Sequence, residues 1–379
     1  MKDFAQHGWK EVSLGEICEK TETVDPRKAP EDEFDYVDVS SVSNETFTIG
    51  ETQKLLGADA PSRARRQIRS GDILFATIRP TLQRIAQVPE HLDGQVCSTG
   101  YIVLRPKPTL DARFLMHALF RPEFMGAMET LQSGASYPAV TDKQVRAQRI
   151  PLPPLEEQQR IVAVLDEVFE GLTRARDHAE ANLQNARELF DSALDEALHP
   201  GSPDWRTLTV ADTLTRTKVP AKIQRKAYLE EGAFPIVSQE AGLINGYWND
   251  EDDVIHLKRP VVVFGDHTRA LKYVDFDFVV GADGTQIMAP VECLEPRFYY
   301  YALKTIDLEG KGYARHFSHL KKCEINYPDS IEAQKSTAAR LDDLSANTQE
   351  LAKQYIRTLQ DLDDLRQSLL QKAFAGELT

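Results

Sequence analysis

Arginine is densest at Arg63-Ala64-Arg65-Arg66-Gln67-Ile68-Arg69. A guanidinium carries a rigid fork of donors that fits phosphate oxygens and the O6/N7 edge of guanine. Arg63, Arg65, Arg66 and Arg69 are therefore candidate DNA contacts, with a solvated, salt-bridged surface segment as the competing reading. Arg79 and Arg84, at the end of an apolar strand, join them. The loop Ser133-Gly134-Ala135-Ser136-Tyr137-Pro138 has small residues that let a backbone approach a phosphate, and Tyr137 could reach a base. An ordinary turn is the alternative there.

A second set lies beyond residue 200. Lys218, Lys222, Arg225 and Lys226 form a basic run with few acids nearby, and Lys258-Arg259 stands before a strand. The loop Gly265-Asp266-His267-Thr268-Arg269 follows the apolar run Val261 to Phe264, so His267 and Arg269 are placed to project donors; a satisfied structural turn competes. Gly312-Tyr313-Ala314-Arg315-His316 offers a hinge, an aromatic and two donors, which makes Tyr313, Arg315 and His316 candidates. Lys321 and Lys322 suit phosphate neutralisation better than base reading.

Catalytic patterns are missing. The sequence has no G-x-x-x-x-G-K-[ST] loop, no G-x-G-x-x-G after a strand, no N-P-P-[FY] and no H-E-x-x-H. Its four cysteines, Cys18, Cys97, Cys293 and Cys323, make no C-x-x-C pair, so neither a metal site nor a disulfide framework is expected, and a reducing compartment is. Asp266 and Asp283 imitate a carboxylate pair but lack a third catalytic element. No catalytic or metal-ligating residue is assigned.

Two long helices must position these groups. One begins at Leu155-Glu156-Glu157-Gln158-Gln159 after Pro151, Pro153 and Pro154, and the other at Ile331-Glu332-Ala333-Gln334-Lys335. Prolines forbid helix upstream, and the early glutamates complement the helix dipole. At an offset of 176 the apolar positions superpose: Leu165 on Leu341, Val168 on Leu344, Ala175 on Leu351, Leu183 on Leu359, Ala186 on Leu362, Leu189 on Leu365 and Ala193 on Leu369. Spacings of 3 and 4 over about five heptads predict one coiled-coil seam per helix. The stretch Leu155 to Leu198 would reach about 66 Å. Gln158, Arg160, Gln334 and Lys335 are expected on the outer face as docking candidates, with a plain solvated face as the alternative.

The duplication includes the heads. Trp9-Lys10-Glu11-Val12-Ser13-Leu14 opens one and Trp205-Arg206-Thr207-Leu208-Thr209-Val210 the other, after the breaker His199-Pro200-Gly201-Ser202-Pro203. Strands are expected over Phe34–Val39, Asp72–Ile78, Tyr101–Leu104, Pro235–Val237, Val261–Phe264 and Phe276–Val280, and short helices over Asp111–Phe120 and Arg297–Thr305. The predicted architecture is α+β: mixed heads with a pseudo-two-fold repeat and two long helices in an antiparallel intramolecular coiled coil. The boundaries are 1–154, 155–200, 201–330 and 331–379.

These strings, in this order, resemble the specificity subunit of type I restriction–modification systems, end to end. The carriers are Ile150-Pro151-Leu152-Pro153-Pro154-Leu155-Glu156-Glu157-Gln158-Gln159, the tail Leu369-Leu370-Gln371-Lys372-Ala373-Phe374-Ala375-Gly376-Glu377-Leu378, and Gly71-Asp72-Ile73-Leu74-Phe75-Ala76-Thr77-Ile78-Arg79-Pro80 with Cys97-Ser98-Thr99-Gly100. Val263-Phe264-Gly265-Asp266-His267-Thr268-Arg269 is similar to another class of that family's target-recognition domains. The resemblance implies two domains reading the halves of a split, asymmetric double-stranded DNA target, with helices that set the gap and dock two methyltransferase subunits. It implies a restriction/translocase subunit, S-adenosylmethionine, ATP and Mg on those partners, and no chemistry in this chain.

Charge allows this. The net charge is −14, yet the segments 155–200 and 331–379 carry −7 and −2, and the heads only −2 and −3. Acidic helices suit protein docking, and near-neutral heads can still concentrate cations on one face. A two-headed protein-binding scaffold and an unrecognised hydrolase remain the alternatives. The N-terminus has no apolar signal region and no run is long enough to span a bilayer, so a prokaryotic cytoplasmic location is expected.

Overall fold

The computed structural model describes residues 9–199, 204–308 and 315–378. The chain divides into two compact units, Met1–Ala179 with Arg357–Thr379, and Glu180–Ile356. The division cuts both long helices, Leu155–Leu198 and Ile331–Phe374; the first begins and ends where the sequence places it, and the second begins where expected and stops at Phe374, short of 379.

In the first unit, Lys10–Ser13 pairs antiparallel with Arg149–Leu152, so the head closes where it opened. Between them lie two sheets. One runs in the order Cys18–Glu19, Tyr101–Pro106, Ile73–Ala76, Ile85–Gln87, all antiparallel. The other runs Gln53–Leu56, Glu33–Val37, Val96–Ser98, Ala64–Gln67, with only the middle pair parallel. Ile73, Phe75, Ile102 and Leu104 face the helix Ala112–Leu119 in one core, while Leu74, Ala76 and Val103 fill a second on the other side of the strands. Alternate residues thus serve opposite faces, as the pleat requires. Pro122 ends the first short helix and starts another, Pro122–Leu131.

The second unit repeats the plan. Trp205–Thr209 pairs antiparallel with Glu324–Pro328. One sheet runs Leu214–Thr215, Thr285–Pro290, Val261–Gly265, Leu271–Val274; the other runs Lys222–Ile223, Phe278–Gly281, Phe234–Val237, Gly246–Trp248, with Val254–Ile255 also on Phe278–Gly281. The helix Pro296–Lys304 stands where Ala112–Leu119 stands in the first unit.

The helices confirm the offset of 176 and correct the seam. In the first unit the end of the second long helix runs antiparallel to the start of the first: Arg366 lies over Phe169, and Arg176 pairs with Asp363. In the second unit Leu194 and Leu198 share a core with Ala338 and Leu341. Leu165, Ala186 and Leu341 are buried as expected, but Leu189 (52%), Leu351 (40%) and Leu365 (46%) are exposed. Beside the matched pair Leu189 and Leu365, the inward positions are Phe190 and Arg366.

Candidate nucleic-acid interface

Gln158 and Gln334 are not on the outer face; both are fully buried. Gln158 Oε1 accepts from Asp111 N (2.8 Å), and its Nε2 donates to Thr109 O (3.0 Å) and Pro153 O (2.9 Å). Gln334 Oε1 accepts from Glu295 N (2.7 Å), and its Nε2 donates to Cys293 O and Pro328 O, both at 2.9 Å. Two turns on, Asp166 holds Arg113 and His117 at 2.9 Å, while Asp342 holds Arg297 (2.6 Å) and Tyr301 (2.5 Å). Each head is therefore moored to its own long helix by the same pair of residues. An amide buried with all its hydrogen bonds made is structural. Arg160 and Lys335 do face solvent, each beside an acid in the same helix (Glu157 at 3.6 Å, Glu332 at 4.0 Å).

The arginine cluster of head 1 lies on the edge strand Ala64–Gln67, which is bulged between Ala64 and Arg66. A bulge turns adjacent side chains away from strict alternation. Arg63 is exposed with no side-chain partner among the described residues. Arg65 lies 3.3 Å from Asp25, Arg66 2.6 Å from Asp142, and Arg69 2.9 Å from Glu22. Arg66, with Lys20 and Arg146, lines an open groove of about 520 Å³ that also holds Glu22, Thr99 and Asp142. These arginines form a ribbon held by acids, with Arg63 free at its end.

The strand is anchored from below by residues that the sequence did not single out. Arg105 makes a bidentate pair with buried Asp72 (2.9 Å twice) and reaches Glu22 at 3.0 Å. Glu22 also accepts from Arg69, and Asp72 accepts from Arg69 N at 2.8 Å. The hydrogen bonds to Asp72 push Arg105 above its ordinary range, and the bond from Arg105 holds Glu22 below the usual carboxylate range.

Arg79 and Tyr137 come together. Arg79 has left-handed backbone (φ 48°), its Nη2 donates to Ser136 O at 3.4 Å, and its guanidinium lies 5.2 Å from the Tyr137 ring. Tyr137 is 72% exposed, so the pair projects from the head. Arg84 does not: its Nη1 donates to Val39 O, Ser40 O and Val42 O, which fixes the loop after Val37.

In head 2, Lys218, Lys258, Arg315 and Lys321 are exposed, with Lys321 Nζ 5.3 Å from the Phe317 ring. Lys222 donates to Thr285 O (2.9 Å), and Arg225 pairs with Glu240 (3.2 Å). Arg259 donates to Leu294 O (2.8 Å) and Arg269, at φ 61°, to Leu308 O (2.6 Å). Those two guanidiniums bind main chain. His316 is buried rather than displayed; its N donates to Asp266 O and it caps the short helix Phe317–Leu320, whose first N–H meets Asp266 Oδ1 at 2.8 Å. His267 is half-buried, with its N donating to Gln239 Oε1 at 3.3 Å. Tyr313 lies outside the described residues.

Lys272 likewise carries no signal in the sequence. It is buried, and its Nζ donates to Ser238 O (2.7 Å) and Asn245 Oδ1 (2.9 Å). Burial pushes its ammonium down from 10.5 to about 8. Between those values the unfolded chain holds a proton that the folded chain has released, so head 2 is expected to gain stability as pH rises from about 8 towards 10.5, with the penalty fully present below. Denaturant unfolding from about pH 7 to 10 checks this: the rise should vanish in Lys272→Met, and identical pH profiles for the two proteins would refute it.

No group of three or more His, Cys, Asp or Glu side chains that could hold a metal converges among the described residues, and none of their helices is long and apolar enough to cross a membrane. Burial pushes the thiols of Cys18 and Cys97 up to about 12, which leaves them inert.

Comparison with known proteins agrees with this duplicated plan. The family model described as type I restriction modification DNA specificity domain matches residues 6–182 and again 204–361. The type I restriction enzyme HindI specificity subunit of Haemophilus influenzae is 30% identical over 191 residues, 48% of this chain and 40% of that protein. The EcoR124I/EcoR124II specificity subunit of Escherichia coli is 27% identical over 175 residues, 42% of each. The alignments thus span less than half the length of these curated relatives. Solved structures cover more. A chain from work on complex assembly and conformational transition of the type I R-M system is 31% identical, covers 98% of both chains and has a TM-score of 0.84. The HsdS subunit of Thermoanaerobacter tengcongensis is 32% identical, with 98% and 97% covered and a TM-score of 0.63.

Proposed function

The chain belongs to the type I restriction–modification DNA specificity family, and from that premise we propose that it reads a bipartite, asymmetric double-stranded DNA target, one half per head. One observation carries this reading: two heads built on one plan, the second with the added strand Lys222–Ile223 and with different surface residues, are moored to equivalent helices by equivalent glutamines and aspartates. Such a frame carries two unlike surfaces on one repeated plan. In head 1 the displayed groups are Arg63, the salt-bridged Arg65, Arg66 and Arg69, and the Arg79–Tyr137 pair. In head 2 they are Lys218, Lys222, Arg225, Lys258, Arg315 and Lys321. Guanidinium and ammonium groups on exposed loops contact phosphates first, and only those that reach base edges specify sequence.

The long helices hold the two readers at a set spacing and offer acidic outer faces, with Arg160 and Lys335 near their starts, to two DNA methyltransferase subunits. Those subunits would bring S-adenosylmethionine and modify adenine N6; a restriction/translocase subunit would bring ATP and Mg. This chain supplies recognition and no bond-making chemistry, in the cytoplasm of a bacterium.

The test is binding to target and random duplexes, with the methyltransferase present, across a salt series. Affinity should fall linearly on a log–log plot, and Arg63→Ala or Arg79→Ala should each lower the slope by roughly one. A salt-independent affinity would exclude phosphate contact and return the scaffold reading.

A further inference from the structure

The moorings give a residue-by-residue correspondence between the two halves. Gln158 and Gln334, and Asp166 and Asp342, are 176 apart on the long helices. The head residues they hold, Asp111 and Glu295, Thr109 and Cys293, Arg113 and Arg297, are 184 apart. The same offsets pair Phe120 with Lys304 on the heads, and Phe190 with Arg366 on the helices.

At this place the chemistry is inverted. In the first unit the helix gives the cation: Arg366 lies 5.3 Å from the ring of Phe120, within a cage completed by Phe47 (4.6 Å) and Phe169 (5.0 Å). In the second unit the head gives the cation: Lys304 Nζ lies 5.2 Å from the ring of Phe190, which also packs 6.2 Å from Tyr301. Each is a cation on an aromatic face; Arg366 is half-buried and Lys304 exposed, so the first contact is worth more than the second. Burial works against the charge of Arg366, as does nearby Arg176, so a further unpaired cation would add to that penalty.

We propose that this inversion is a pairing code that keeps the end of each long helix on the head of the other half and opposes the pairing of like halves between two copies of the chain. Two copies could trade partners because both units share one plan. First half on first half would set Phe120 against Phe190, which is harmless. When intact chains pair along their whole length, second half also meets second half, which sets Lys304 against Arg366, cation on cation. The like-charge clash is a device of the kind that specificity between similar partners requires.

The inference rests on packing alone and survives failure of the DNA reading. It is tested on the full chain. Lys304→Phe leaves an aromatic opposite Phe190 in the native unit but makes second-half pairing favourable, since the introduced phenylalanine would meet Arg366. Its dimer fraction, by light scattering across a concentration series, should rise at least fivefold over wild type. Phe190→Arg places a guanidinium against Lys304 and should lower the Tm by about 2–4 °C. The double variant Phe190→Arg/Lys304→Phe rebuilds the Arg–Phe pair of the first unit and should recover most of that loss. An unchanged dimer fraction for Lys304→Phe, or a double variant no more stable than Phe190→Arg, overturns the proposal.

Discussion

Arg105→Met is expected to destabilise the first unit by about 3–5 kcal/mol, the usual consequence of removing one partner from a buried ion pair. Asp72, 1% exposed, would lose both bonds of its bidentate pair and keep only Arg69 N and its strand neighbours. Glu22 would lose its link to the core and hold only Arg69. The damage should spread to the arginine ribbon, because the segment that carries Arg69 is tied to the sheet through these carboxylates. Denaturant unfolding measures the effect; the double variant Arg105→Met/Asp72→Asn should recover part of it by removing the stranded charge. A loss below about 1 kcal/mol would mean that the network behaves as a surface pair. Binding to the duplex should weaken in parallel even though Arg105 does not face solvent.

Deleting seven residues from the middle of each long helix is expected to redefine the target. One heptad keeps the seam in phase and shortens each helix by about 10 Å. On a duplex that is roughly three base pairs. DNA with the original gap can then engage only one head. Without the base-edge hydrogen bonds of a whole half-site, affinity should fall by at least about 10²-fold. Duplexes with graded gaps, or methylome sequencing of a host carrying the full system, read the outcome directly. An unaltered gap would remove the ruler role from the helices while leaving the reading heads in place.

The long helices were legible because their signals are local: three prolines, early glutamates and a heptad stripe. Every anticipated strand and short helix exists within a few residues of its expected place, since each is an apolar run between breakers. The strand order was not legible, because pairing joins residues far apart, such as Val37 with Cys97. The seam was read in part wrongly. Leu189 and Leu365 were matched correctly to each other and placed on the wrong side, because counting leucines overlooks inward positions that are polar or charged, Thr348 and Arg366 among them.

The glutamines carried a usable sign. Gln158 precedes Val162 and Leu165 by four and seven residues, as Gln334 precedes Ala338 and Leu341, so each glutamine stands on the buried stripe of its helix. Among the cations, the chain order could not separate Arg63, whose guanidinium has no partner among the described residues, from Arg79, Arg84, Arg259 and Arg269, which bind carbonyls. A guanidinium near a loop has water, phosphate and main chain as rival acceptors, and only the fold decides among them. Arg105 and Lys272 stand alone among apolar neighbours, and nothing in the order of residues names their partners.

The glutamine forks touch only main-chain N–H and C=O groups, and every amino acid but proline carries both. A globule held this way can have its face rewritten wholesale while its grip on the rod goes unnoticed by the change. If the heads read DNA as proposed, a new site can arise in one head with the glutamine mooring intact, provided that the few side-chain pairs to the rod, such as Arg113 with Asp166 and Arg297 with Asp342, are kept.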